Sequence, residues 1–332
     1  MPLPAEFADA VMATTLALLV ALAVDRVWGE PPARWHPVVW MGRYLGWAGD
    51  RIAPAPADAQ RASAWQTALR GALAWLAGAL VVGALAWALS RLVSGGPGWL
   101  TGLLLGLMLK PMLAWRMLAD EVRAVEQALS AGLQAGRDRL AWLVSRDVNR
   151  LDEVQVRESA METLAENLND SVVAPVFWFL VAGLPGAAVY RFANTADAMW
   201  GYRGERGGRV WTWAGCCAAR ADDLLSWLPA RITAALLWLA APGGRGALNW
   251  SRVRSDAALT PSPNSGWPMA ALAHLADVRL SKPGHYVLHP AGRTAQAADV
   301  TLALRLGGRA VALMVLTAAA ALLLAWFPGW PA

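Results

Sequence analysis

The chain has 332 residues, 57% of them hydrophobic and only 16% charged, with 20 tryptophans, a mean hydropathy of +0.36 and a net charge of +5. That balance lies well outside soluble-domain averages and excludes a water-soluble globular enzyme and a disordered chain. The basic excess is accounted for by membrane-flanking arginines and anionic small ligands, so no nucleic-acid partner is expected.

The first apolar run, Ala10–Val24, follows a flank, "MPLPAEFAD", that has acids but no lysine or arginine, so it reads as a retained helix rather than a signal peptide. Gly71–Leu89, Trp99–Leu109 extended through Leu118, and Ala310–Phe327 complete four firm spans, near the roughly 20 residues that cross a bilayer as helix. Val172–Val189, with Pro175 and Pro185, and Leu224–Ala241, with Pro229 and Arg231, read as broken or re-entrant. Such backbone is tolerated at membrane depth only where protein or a water-filled cavity satisfies it. The expected fold is an all-α polytopic integral membrane protein, one membrane-embedded domain over residues 1–332.

Arg26–Arg70, Ala119–Asp170 and Arg245–Arg309 are arginine-rich, whereas the amino terminus and the "PGWPA" tail have no basic residue. The positive-inside tendency then puts those segments in the cytoplasm and both termini outside. Six full crossings would send the arginines of Tyr190–Asp223 outside, which favours four spans with the broken pair dipping in from the cytoplasmic side. Site loops are expected at about residues 25–70, 119–223 and 245–309.

Polar motifs cluster in these loops. "DRVWGEPPARWHPVVWMGRYLG" places Asp25 at the end of the first span and brings Glu30, Arg34, His36 and Arg43 behind it. An ionisable group there is expensive, so function or pairing is its default reading. "SRDVNRLDE" supplies Arg146 and Asp147, with Asn149 and Asp152 as helix-cap residues. Glu158, Glu162, Glu166 and Asp170 then recur every four residues, a single stripe on a helix. Like charges at that spacing repel, so the stripe needs a cation, an arginine or a metal-bound phosphate, or else faces water. Asn167, Asn169 and Asp170 beside "SVVAPVF" add oxygen donors of the kind magnesium takes.

In "YRFANTADAMWGYRGERGG", Asn194 and Asp197 share a helix face, and Tyr202, Arg203 and Arg206 offer an anion grip. "ARADDLLSWLPARITA" sets Arg220, Asp222 and Asp223 at the edge of a broken segment and Arg231 inside it, where a plain Asp–Arg structural pair competes with function. In "TPSPNSGWP", Asn264 is placed to cap a helix beginning near Trp267, and Lys282, His285, Tyr286, His289 and Arg293 follow in an irregular loop. Cys216 and Cys217 are adjacent, unsuited to a disulfide or zinc site, and read as packing residues. There is no HExxH, P-loop or dinucleotide fingerprint.

The ordered set "D…GEPP…HPV…MG", "SRDVNRLDE", "ETLAENLNDSVVAP", "NTADAMWGYR", "ARADDLLSWLPARITA" and "SPNSGWP" resembles the adenosylcobinamide-phosphate synthase (CobD/CbiB) family of cobalamin biosynthesis, over roughly Asp25 to Arg293. The chain departs from the family pattern at Gly29–Glu30–Pro31, where Gly–Asp–Pro is usual, and at "SKPG" (Ser281–Gly284), where a glycine-rich turn is expected. The resemblance implies a bacterial inner-membrane ligase with cytoplasmic site loops. It would join a carboxylate of adenosylcobyric acid, a corrinoid, to the amine of aminopropanol phosphate or aminopropanol, using ATP and Mg2+, beside other late-pathway membrane enzymes. On that basis Glu166, Asn167, Asp170, Asn194 and Asp197 are expected around magnesium phosphate. Asp25, His36, Arg146, Asp147, Tyr202, Arg203, Arg231 and Asn264 are expected at substrate, and Asp222 or Asp223 as general base. The activated carboxylate would be an acyl phosphate, by chemical analogy, or an adenylate. Two other classes compete: an intramembrane magnesium-dependent prenyl- or phosphotransferase, with an apolar groove and no ATP, and a transporter or sensor, which predicts an internal repeat the sequence does not show.

Overall fold

A computed structural model describes residues 5–241 and 248–326. Arg245, Phe327 and the "PGWPA" tail, on which the expected third basic segment, last span and outer terminus partly rest, fall outside the described residues. In chain order come α1 (Ala5–Trp28), α2 (Pro37–Ile52), α3 (Pro56–Ala59), α4 (Ala64–Val93) and α5 (Gly98–Leu109). After a 3-10 turn at Lys110–Met112 follow α6 (Trp115–Ala131), α7 (Leu133–Leu140), α8 (Glu153–Leu168), a π-helical turn at Asn169–Val173, and α9 (Ala174–Trp200). Then come the short strands β1 (Glu205–Arg206) and β2 (Arg209–Val210), α10 (Cys216–Ala240), α11 (Trp250–Ala257) and α12 (Gly266–Ala276). A hairpin of β3 (Leu280–Lys282) and β4 (Tyr286–Leu288) precedes α13 (Ala297–Trp326).

Among the described residues, six helical stretches are long and apolar enough to cross a bilayer: Asp9–Trp28, Ala64–Val93, Gly98–Ala131, Glu153–Trp200, Cys216–Ala240 and Ala297–Ala320. On α4, Leu73, Leu80 and Leu85 are all more than half exposed, a surface that lipid accepts and water does not. The chain is an all-α polytopic membrane protein. The run expected to continue from Trp99 through Leu118 as one span is interrupted, because Pro111 tightens the turn and Leu113 is extended (φ −112°, ψ 143°) before α6 starts.

The two proline-bearing segments behave differently. In α9 the break falls at Ala182 and Gly183, whose backbone leaves helical geometry, and Pro185 stands just past it, where a new helical stretch tolerates a missing N–H. In α10 the helix runs through Pro229 without a break. Proline removes the donor that would have bonded the carbonyl of Leu225, and the Trp178 indole N–H donates to that carbonyl at 2.9 Å instead.

The chain divides into two compact units. The first comprises the chain up to Leu113, Ala174–Leu225 and the chain from Ala321 on, and the second Ala114–Val173 with Ser226–Ala320. In the first, α1 packs along α5, and α2 and α4 pack on α9. In the second, α8 is surrounded by α6, α7, α12 and β3. The α1–α5 contact is close because Gly102 and Gly106 face it: a Cβ at Gly102 would lie 2.8 Å from the Ala13 carbonyl oxygen, and one at Gly106 2.7 Å from that of Ala17. Small residues allow such helix approach in a bilayer, where no hydrophobic driving force holds helices together.

Gly102→Val is therefore expected to cost about 1–3 kcal/mol of stability through overpacking. In detergent its melting temperature should fall well below that of wild type. Gly96→Ala, where the nearest atom to an added Cβ is 3.7 Å away, should melt like wild type.

Candidate functional site

The second unit holds the acid stripe. Asp152 caps α8 by accepting the Gln155 N–H at 2.8 Å, and the Gln155 side chain accepts the Asp152 N–H at 3.0 Å, which fixes where the helix starts. From that start Glu158, Glu162 and Glu166 fall on one side. This is not a solvated face: the first two are only 0% and 2% exposed. Arg146 donates from Nη2 to Glu162 Oε2 at 2.8 Å, and Arg279 Nε lies 3.6 Å from Glu158 Oε1. The N–H of Ser281, on β3, donates to Glu158 Oε2 at 3.1 Å, and its hydroxyl donates to the same oxygen. Such partners offset part of the cost of taking carboxylates out of water.

The pairing is incomplete. Glu158 Oε1, Glu162 Oε1 and Arg146 Nη1 are buried with no hydrogen-bond partner among the described residues. Orphaned acceptors beside an orphaned donor match a ligand carrying both a cation and an anion. Glu166, Asn167 and Asp170 are half-buried, and Asn167 donates to the Thr163 carbonyl at 3.0 Å. The π-helical turn carries Asn169, which donates to Asp170 Oδ1 at 2.8 Å and accepts from the Thr233 hydroxyl of α10 at 3.2 Å. Tyr286, on β4, belongs here too: burial first, then the charges of Glu162 and Glu166, push its hydroxyl far above the ordinary phenol value, so it stays a neutral donor.

Arg231 is held between the rings of Trp227 and Trp267, at 4.2 and 4.8 Å from their centroids, and donates to Asn264 Oδ1 at 3.2 Å. The Asn264 side chain thus anchors this arginine and does not cap α12, whose N-cap residue is Ser265. Asp147 is exposed and accepts from the Asn149 backbone and side chain, a local turn. The segment expected as an irregular loop after α12 is the β3–β4 hairpin, closed by the His285 N–H on the Lys282 carbonyl at 2.9 Å.

In the first unit Asp25 is 1% exposed and lies 3.1 Å from Lys110 Nζ, which also donates to Glu30 Oε1 at 2.8 Å. His36 caps α2, accepting the Val38 N–H at Nδ1, so its proton is on Nε2 and is donated to Glu30 Oε2 at 2.9 Å. Asn194 of α9 donates to Asp222 Oδ1 of α10 at 3.3 Å and accepts from Arg191 at 3.3 Å. Asp197 and Asp223 are half-buried, and Asp197 accepts the Gly201 N–H through its carbonyl at 2.7 Å. Tyr202 donates to the Ala198 carbonyl at 2.9 Å under the guanidinium of Arg206, and Arg203 is exposed.

The structure thus joins Arg146 to the stripe, Arg231 to Asn264, and Asn194 to Asp222. The five residues expected around one metal divide between units: Glu166, Asn167 and Asp170 in the second, Asn194 and Asp197 in the first. Sequence reasoning passed over Lys110, although a lysine at the end of an apolar run is the natural partner for an acid at the end of another. It also left Glu158, Glu162, Asn169 and Tyr286 out of the site, whose roles arise from contacts across elements.

Fold and site define a polytopic helical membrane protein with a buried, arginine-paired carboxylate stripe. The family model described as "CobD/Cbib protein" matches residues 18–326, and the chain belongs to that family. It is 39% identical to the cobalamin biosynthesis protein CobD of Chromobacterium violaceum, over 83% of this chain and 84% of that one. Identity is 37% to the protein of that name from Brucella suis biovar 1, over 95% and 98% of the two chains. A probable cobalamin biosynthesis protein CobD from Methanothermobacter thermautotrophicus is 36% identical over 83% and 87%. No solved structure matches. None of these names favours a prenyl- or phosphotransferase.

Lys110→Met would remove the cation that Asp25 and Glu30 share in the first unit and should cost about 3–5 kcal/mol, read as a loss of folded protein in a denaturant titration in detergent. Glu30 adds a pH dependence. Burial raises its carboxyl, but hydrogen bonds from His36 and Lys110 and the Lys110 charge outweigh that and hold it below the ordinary 4.5. Because the folded value is the lower one, its stabilisation is complete above 4.5 and is lost as pH falls through the folded value. Glu30→Gln should be less stable than wild type at neutral pH, and the gap should close on acidification below that point.

Proposed function

We propose that this protein acts in cobalamin biosynthesis as an ATP-dependent amide ligase, joining adenosylcobyric acid to aminopropanol phosphate, in the bacterial inner membrane with its site loops on the cytoplasmic side. Membership of the CobD/Cbib family supports the pathway. The observation that supports the chemistry is the stripe itself: two buried carboxylates with orphaned acceptors beside an arginine with an orphaned donor.

That donor set fits magnesium and phosphate together, since magnesium takes oxygen ligands from one or two carboxylates and completes its shell with phosphate and water. Glu162, Glu166 and Asp170 would hold the ion, with Asn169 keeping Asp170 in place. When bound, ATP and Mg2+ would supply the leaving group that turns an unreactive carboxylate into an acylating agent. Arg146 answers negative charge on that side of the reaction, its Nη2 already committed to Glu162 and its Nη1 left to donate. Tyr286 donates a neutral O–H beside the same carboxylates. Aminopropanol phosphate arrives with its amine protonated, and an ammonium cannot attack. Within the first unit, Asp222, held by Asn194, is a carboxylate suited to general-base work, and Arg203, exposed on its turn, is a guanidinium suited to a phosphate.

Purified protein in nanodiscs, given adenosylcobyric acid, aminopropanol phosphate, ATP and Mg2+, should form the amide product seen by mass spectrometry, and omission of either ATP or Mg2+ should stop it. Asp170→Asn and Glu162→Gln, checked as folded by their melting curves, should each lose about 10²–10³-fold in turnover. No product from folded wild type, with phosphorylated or free aminopropanol, would overturn the ligase. Full turnover in both variants would remove the stripe from the chemistry.

A further inference from the structure

A second group of side chains in the second unit converges without entering the ligase chemistry. Asp256 on α11, His274 on α12 and His289 just after β4 each present one ligand atom, and these atoms all lie within 4.8 Å of one another. Their side chains are 14%, 10% and 13% exposed. Asp256 Oδ2 is 2.8 Å from His274 Nε2 and accepts the backbone N–H of His289 at 2.9 Å. The two imidazole rings are 4.1 Å apart, centroid to centroid, and inclined at 39°.

A buried Asp–His pair that merely fastens a loop would need one histidine. Here the second is placed as closely, by contacts of its own. His289 Nε2 lies 3.0 Å from Asp277 Oδ1, and Asp277 and His289 are the only non-glycine residues with positive φ among the described residues, at 50° and 48°. Asp277 takes the left-handed region as the C-cap of α12, His289 takes it just after β4, and the contact between them fixes where the imidazole stands. Gly292 contributes by having no side chain: a Cβ there would lie 2.6 Å from His289 Cδ2 and 2.7 Å from the Arg279 nitrogen. With Nε2–H donated to Asp277, the ring keeps its lone pair on Nδ1, the arrangement by which a carboxylate orients a metal-binding histidine.

We propose that Asp256, His274 and His289 form a binding site for a divalent transition-metal ion of the zinc type, with Asp277 as the positioning residue that orients His289. Two nitrogens and one carboxylate oxygen suit zinc and not magnesium, which takes oxygen ligands. Three protein ligands leave a fourth position for water or another ligand, and the ion would tie α11, α12 and the end of the β3–β4 hairpin together. This site is distinct in donor chemistry from the carboxylate stripe, so each can fail without the other.

The test uses full-length protein without a histidine tag, stripped by chelator in detergent and titrated with Zn2+, with metal content measured after desalting. Wild type should retain one Zn2+ per chain, undisturbed by millimolar Mg2+. His274→Gln and His289→Gln should each weaken binding by at least about 100-fold, and Asp277→Asn by about 10–100-fold, the range for loss of an outer-shell partner. Melting curves in chelator identify any variant that does not fold. For that case Co2+ added to stripped wild type should give the intense visible bands of a four-coordinate site. The proposal falls if wild type retains no zinc, if Mg2+ displaces it, if both folded histidine variants bind as wild type does, or if Co2+ keeps its hydrated spectrum.

Discussion

Buried charge is the constraint on which the rest of this structure depends. A chain built for a bilayer has little water to offer its carboxylates, so each one kept inside must be met by a cation or a donor brought from elsewhere in the sequence. Asp25 is met by Lys110, 85 positions later by their numbers, and the same ammonium reaches Glu30. Glu162 is met by Arg146, and Glu158 by Arg279 and Ser281. These pairings tie the end of α1 to the turn after α5, and α8 to the β3–β4 hairpin. Removing one partner is worse than never having had the pair, which is why such charges tend to mark positions where something beyond packing is needed.

Around these points the helices pack by means suited to lipid. α1 and α5 approach through Gly102 and Gly106, and Pro229 is accommodated because the Trp178 indole takes over the carbonyl it releases. In each case a local sequence feature that weakens an isolated helix is offset by a neighbour. The π-helical turn at Asn169–Val173 belongs to the same pattern: an irregular turn, fastened to α10 through Thr233, directly follows the stripe and carries Asp170. Irregular turns of this kind within helices are frequent at functional sites.

Much of the fold was legible in the sequence because long apolar runs and four-residue spacings are local properties. The helical class, the apolar segments that became α1, α4, α5, α9, α10 and α13, and the single-sided placement of Glu158, Glu162 and Glu166 could all be read directly. The site was legible only in its ingredients. Nothing local says that Glu162 faces Arg146, that Asn264 serves Arg231 in place of the helix it precedes, or that Tyr286 comes back beside the stripe on a hairpin. Lys110 was hidden inside a run that read as one span, and His274 and His289 are separated by the hairpin that brings them together. These are contacts between distant segments, and periodicity carries no information about them.

The stripe is proposed to hold a metal-bound phosphate. Its most direct test is the binding of Mn2+, a spectroscopic substitute for Mg2+, to purified wild type and to Glu162→Gln by electron paramagnetic resonance, with and without a non-hydrolysable ATP analogue. The expected result is one ATP-dependent Mn2+ that excess Mg2+ displaces and that Glu162→Gln does not bind. Equal, Mg2+-displaceable binding by the two proteins, or none by wild type with the analogue present, would contradict it.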